Sequence, residues 1–406
     1  MAKTESKTPP LVIVETHPVQ YHAPVYRAVE NTYGIPVETI YGSDFSVAGY
    51  YDKEFRSSFA WDADLLTNST CTFLSKVAEG GAGSVEAVST KGLGKALART
   101  KAGAVMLTGY RPSFHLAAFF QAWRRGYPIL FRAETTDHAN SRDRLKISVR
   151  DRMLRGLYSR CERVLPIGSR SYEHYRRLGV AAEKMVFSPY CVDVAPFRCD
   201  EEARTALRAE MRFALRAAEN DFVIMFSGKL SKRKGVHVLV DALKHLPDDV
   251  RERIVLLFVG DGEERQPLRD GCDRAPVVRA FFAGFQNQNL LSPYYHAADL
   301  LALPSVTAET WGLVVNEGLH HGVPCIVTDA VGSASDLIEC GTSGEIAEAG
   351  SVASLEAAIL RALLLVKKEN VRTKCRDKVS HFTVDAAAAG IATAYRSVVK
   401  RDGAHS

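Results

Sequence analysis

Short, mostly apolar segments recur along this chain between longer amphipathic ones, and this alternation limits the fold more than any other feature. In the first half, "LVIVE" (11–15), "PVETIYG" (36–42), "AVMLTGY" (104–110), "PILFRAE" (128–134), "RVLPIG" (163–168) and "KMVFSP" (184–189) read as strands, with helical patterns between them, among them 92–101 and 141–159. A strand apolar at nearly every position, not every second one, is covered on both faces, as happens in parallel β/α units. Residues 43–90 keep neither period and read as loop with short strands. The stretch "YCVDVAPF" (190–197) breaks the rhythm at Pro189 and Pro196 and reads as a linker. A second series then starts, with "FVIMFSG" (222–228), "IVLLFVG" (254–260), "RAFFAGF" (279–285), "LLALPS" (300–305) and "PCIVTDA" (324–330). At 406 residues the chain exceeds what one core usually serves. The expected fold is α/β: two doubly wound Rossmann-like domains, 1–190 and 191–382, facing a central cleft, followed by a terminal helix within 383–406.

Composition removes several function classes. The chain is 46% hydrophobic and 24% charged with a net charge of +5, ordinary for a globular protein and too mild to point to nucleic acid. No segment approaches the roughly 18 apolar residues of a membrane span. The start, "MAKTESKTPP", lacks the apolar run of a signal peptide. The eight cysteines form no C-x-x-C pair, which argues against zinc and suits reduced thiols; the expected location is the cytoplasm. One local excess stands out. Residues 141–177 carry ten Arg and one Lys against two Asp and two Glu, a surplus of seven. Such a face suits anionic lipid at the inner membrane surface or a lipid-linked acceptor, and equally suits plain solvation.

In open parallel sheets ligands sit at the carboxyl ends of strands, so the loops there carry the chemistry. "SGKLSKRKG" (227–235) places Gly228 at a strand end and Lys229 and Lys234 before a helix, an arrangement that suits a diphosphate or is simply a basic surface loop. "VGDGEE" (259–264) brings Gly260, fit for a close backbone approach or for a tight turn alone. Backbone groups at Phe285 and Gln286 suit a base edge. "ETWGLVVNE" (309–317) sets two carboxylates around a helix start: the free N–H groups of Trp311, Gly312 and Leu313 suit a phosphate, and Glu309 and Glu317 suit sugar hydroxyls. The plainer alternative is that Glu309 caps the helix and Glu317 lies on the surface.

These segments, with "FAGF", "YYHAADLLALPS", "GVPCIVTD" and "DLIECGTSGEI", occur in the order found in retaining GT-B glycosyltransferases of family four, and the second half of the chain resembles that family closely. The first half resembles it more loosely, through "VETHPVQYHAPVYR" and "IGSRSYEHYRRLGV". The resemblance implies a nucleotide-diphosphate sugar as donor, a UDP- or GDP-sugar above all; no cofactor is expected, and no metal, because no Asp-x-Asp motif stands in a convincing strand-end loop and the lysines can replace one. It implies that Lys229 and Lys234 hold the diphosphate, that Glu317 holds the ribose and that Glu309 touches the transferred sugar. It also implies front-face attack, in which the departing phosphate takes the acceptor proton, and a terminal helix that crosses back onto the first domain. His138 resembles the family's histidine beside the reacting sugar. His17, Gln20, Tyr21, His22 and Tyr110 are acceptor-side candidates for a glycan, lipid-linked or small-molecule acceptor. An epimerase of the same fold and a non-catalytic nucleotide-sugar binder are the alternatives. Dehydrogenase chemistry has no support, because no G-x-G-x-x-G follows the first strand.

Overall fold

A computed structural model describes residues 8–52, 57–59, 65–67, 69–137, 144–274, 279–307 and 309–399. The first half contains β1 (Leu11–Glu15), β2 (Val37–Tyr41), an antiparallel pair of β3 (Tyr50–Asp52) and β4 (Ser57–Phe59), then β5 (Thr70–Phe73), β6 (Ala104–Leu107), β7 (Ile129–Phe131) and β8 (Arg163–Val164). Apart from the β3/β4 pair, these strands form one parallel sheet in the order β5-β2-β1-β6-β7-β8. The second half contains β9 (Phe222–Ser227), β10 (Ile254–Val259), β11 (Arg279–Gly284), β12 (Leu300–Leu303), β13 (Cys325–Thr328) and β14 (Gly344–Ala347). They repeat the pattern as β11-β10-β9-β12-β13-β14. In both sheets the order reverses beside the first strand, and that switch point opens a crevice at the carboxyl edge. The central strands β1, β6, β10 and β12 are buried at every position, which is why they read as continuous apolar runs.

Two local expectations change. Residues 184–189 do not form a strand. Val186 and Ser188 donate to the Val164 and Pro166 carbonyls at 3.0 Å each, and Tyr190 to the Ile167 carbonyl at 3.1 Å, but Pro166 has no N–H to donate back and complete the ladder. The second sheet gains a sixth strand, β14, beyond the five read from the sequence.

The last helix, Val384–Val398, leaves the second half and packs on the helix Ala23–Asn31. Ala387, Ala388, Ile391, Ala394 and Tyr395 share a core with Leu11, Ile13, Val25 and Val29 of the first half. Gly390 sits where the backbones cross; a Cβ there would lie 2.1 Å from the Phe187 carbonyl oxygen.

Candidate functional site

At the carboxyl edge of the second sheet, three loops are drawn together by glycine. Gly228 follows β9 with φ 135° and Gly260 follows β10 with φ 139°. A Cβ on Gly260 would lie 1.9 Å from the Gly228 carbonyl oxygen, so the two loops touch backbone to backbone. Gly260 also bridges to Gly284 at the end of β11. Together with Val259, Phe285, Gln286, Val314 and Glu317, these loops line a cavity of ≈ 110 Å³. Gln20 and Tyr21 close it from the first half. They were expected on the acceptor side, and they lie instead against the residues expected to hold the donor.

Glu317 lies on the helix Leu313–His320 and is 2% exposed. The Tyr295 hydroxyl donates to its Oε2 at 2.5 Å. Burial raises the Glu317 pKa and the Tyr295 hydrogen bond lowers it again in part, leaving it at about 7. Tyr295 is itself fixed by stacking on His321, centroids 4.7 Å apart. His321 is held between the Ser292 hydroxyl at 3.0 Å and the Glu317 carbonyl at 2.7 Å. Tyr295 is fully buried core. It also aims the carboxylate. No spacing in the sequence marks that second role, because the two residues lie on different elements.

Glu309 lies on the loop after β12 and forms an ion pair with Lys234. Ser305 Oγ donates to the same carboxylate oxygen at 3.0 Å, and Arg233 lies 3.7 Å from it. The residues expected to hold a diphosphate and a sugar therefore face each other directly. The Glu309 loop is zipped to the loop after β13: Gly332 N donates to the Glu309 carbonyl at 3.0 Å and Ser333 N to the Trp311 carbonyl at 3.0 Å. The helix that follows starts after Gly312, whose φ of 91° and closeness to Leu303 admit no side chain, and among the described residues no side chain caps it. Its first N–H groups are thus open beside the Lys234–Glu309 pair. The Trp311 side chain is engaged elsewhere: its Nε1 donates to Asn316 at 2.8 Å, and its ring contacts Tyr190 in a T-shaped arrangement and Phe382 at a tilt.

Across the cleft, His22, Tyr110, Arg111, Arg132, Glu134 and Tyr190 line a second cavity of ≈ 290 Å³. His22 is oriented from behind, with Nδ1 2.7 Å from Glu15 Oε1, which also accepts from the Tyr26 hydroxyl at 2.6 Å. Glu134 accepts from the Tyr190 hydroxyl and, at 2.7 Å, from the Thr310 hydroxyl of the other half. This cavity therefore adjoins the Glu309 loop. Arg132 and Glu134 were missed in the sequence, although "FRAE" ends a strand on the cleft side with two opposite charges. His17 lies outside both cavities, bonded to Thr16 at 2.9 Å and against Phe45. His138 lies outside the described residues.

Part of the basic surplus is consumed internally. Arg150 and Arg177 both pair with Asp137 and Asp151, and Arg170 donates to the Asp329 carbonyl across the cleft. No described helix is long and apolar enough to cross a membrane.

Residues 208–378 match the family model described as Glycosyl transferases group 1. Among curated proteins, the D-inositol 3-phosphate glycosyltransferase of Xylanimonas cellulosilytica is 31% identical over 220 residues, covering 51% of this chain and 48% of that one. The lipopolysaccharide 1,2-N-acetylglucosaminetransferase of Salmonella typhimurium is 28% identical over 190 residues, 45% and 49% of the two chains. The matched part is thus about half the length of each relative. Among solved structures, Anabaena HepE in complex with UDP superposes with a TM-score of 0.68 over 96% of this chain and 100% of that one, at 17% identity. The fold is that of GT-B proteins, two Rossmann-like domains across a cleft.

Proposed function

We propose that this protein is a glycosyltransferase that moves a sugar from a nucleotide-diphosphate sugar to an acceptor hydroxyl, with retention at the anomeric carbon. The observation that carries this reading is the convergence at one sheet edge of an open helix start, a Lys234–Glu309 pair and a buried Glu317 held by Tyr295. Each suits a different part of one donor. Glu317 takes the ribose hydroxyls as acceptor of two hydrogen bonds, and Gly228 and Gly260 let the backbone approach the nucleotide. Lys229, Lys234 and the helix N–H groups stabilise the diphosphate as it departs. Glu309, released from Lys234 as the diphosphate arrives, receives hydroxyls of the transferred sugar.

The relatives support the same class: their names specify glycosyl transfer, and the HepE structure holds UDP, which favours a uridine donor here. The acceptor enters from the first half, through the cavity of His22 and Tyr110. In front-face attack the departing phosphate accepts the acceptor proton, so neither Glu309 nor Glu317 acts as a nucleophile. The exposed arginines left over from the 141–177 surplus are the part of the surface suited to an anionic membrane.

Thermal denaturation with UDP, GDP, ADP and their sugar conjugates tests the donor site, because a ligand bound only by the folded state raises Tm. One nucleotide should shift Tm, and Glu317→Ala and Lys234→Ala should each abolish the shift. Acceptor-dependent consumption of the sugar conjugate then separates a transferase from an epimerase or a passive binder. Donor binding that persists in both variants would remove the assignment.

A further inference from the structure

Arg132 directly follows β7 and is 3% exposed. Its Nε donates to Ser188 Oγ and its Nη2 to the Pro189 carbonyl, each at 2.8 Å. The guanidinium carbon lies over the Tyr190 ring, 5.9 Å from its centroid. These three contacts fix the group rigidly, yet none neutralises it: among the described residues no carboxylate lies within ion-pair distance of Arg132. A buried cation with no counter-charge is disfavoured unless something supplies one.

The cavity that Arg132 lines does not supply it. Glu134 is the one carboxylate among the described lining residues, and its two oxygens already accept from Tyr190 and Thr310. Arg111 adds a second, exposed guanidinium to the same wall. Arg132 Nη1 makes no hydrogen bond with a described residue, which leaves a fixed donor for a ligand in the cavity.

We infer that the acceptor carries a negative charge, a phosphate monoester or a carboxylate, and that Arg132 binds it with Arg111 at the rim. The inference rests on the transferase reading for the word acceptor, and on Arg132 alone for the charge. A planar guanidinium held at two nitrogens is already ordered for an oxyanion, so little freedom is lost when one binds. Glu134, which lines the same cavity, discourages a second anion and leaves room for the neutral, hydroxyl-bearing part of the molecule next to the Glu309 loop.

Calorimetric titration of the full chain tests this, with the donor pocket filled by whichever nucleoside diphosphate stabilises the protein. The probes are glycerol phosphate, glucuronate, and glycerol and glucose as their neutral counterparts. One of the two anions should bind saturably while the neutral probes do not, and which anion it is separates phosphate from carboxylate recognition. Arg132→Gln should weaken that binding by about tenfold or more, and Arg111→Gln by less. If Arg132→Gln does not fold, Arg132→Lys keeps the charge, loses the fork and should still bind the anion more weakly. Absence of anion binding, equal binding of the neutral probes, or anion binding that survives both arginine variants unchanged would each overturn the inference. If no nucleotide shifts Tm, the donor reading fails separately. The same titration without nucleotide still reports on Arg132.

Discussion

Glu317 shows how a single residue can set a trade between stability and binding. Its folded pKa of about 7 lies above the ordinary carboxylate value of 4.5. The folded state therefore holds a proton that the unfolded state releases between those values, so this group stabilises the protein fully below pH 4.5. That contribution is lost as pH rises through 7. The full span corresponds to roughly 3 kcal/mol. Glu317→Gln, which keeps an oxygen for the Tyr295 hydroxyl, should therefore be more stable than the parent above pH 7 and nearly equal to it at pH 5. It should also lose the Tm shift given by nucleotide, because the amide cannot accept as a carboxylate does. Melting curves at both pH values, with and without nucleotide, check both halves of the statement. A variant no more stable at pH 8 would mean that Glu317 is ionised in the fold without strain. The sequence revealed the two carboxylates because their spacing around a helix start is local. It concealed Tyr295 and the Lys234–Glu309 pair, because those contacts join segments 22 and 75 residues apart.

At the scale of elements, the site depends on loops whose backbones touch. Gly260→Ala would place a Cβ 1.9 Å from Gly228 O at a φ of 139°, and the two loops cannot both keep their course. The expected cost is about 3 kcal/mol or more, with loss of nucleotide binding. Gly271→Ala, inside the helix Arg265–Arg274 with nothing within 4 Å of the added carbon, is the contrasting change. It should be neutral or stabilise by up to about 1 kcal/mol. Chemical denaturation of both variants separates a steric effect from a general dislike of losing glycine. The central strands were legible in the sequence because burial on both faces leaves an unbroken apolar run. Two of the edge strands, β5 and β14, were not. β5 alternates exposed and half-buried residues, and β14 contains Glu345, a buried carboxylate that accepts from Arg361 Nε at 2.7 Å and Gly341 N at 3.0 Å. A charge whose partners lie on other elements hides a strand from any reading of hydrophobic period.

The whole molecule is joined across the cleft by few but specific contacts. Ser169 N and Oγ donate to Asp336 Oδ1 at 3.0 and 2.6 Å, Thr310 reaches Glu134, and Trp311 sits between Tyr190 and Phe382. The returning helix Val384–Val398 adds a covalent route between the halves, and it does so as part of the first core. Truncation after Phe382 should leave the second half able to unfold cooperatively and bind nucleotide, while the first half loses its protection from hydrogen exchange around β1 and the helix Ala23–Asn31. Exchange in the first half at the rate of the intact chain would show that the helix merely decorates that surface. The returning helix also sets an order in time. A ribosome delivers Leu11 and Ile13 long before it delivers Ile391 and Tyr395, so the half made first cannot complete its core until every strand of the half made second has been delivered. Folding of this protein during translation should run against the direction in which it is made.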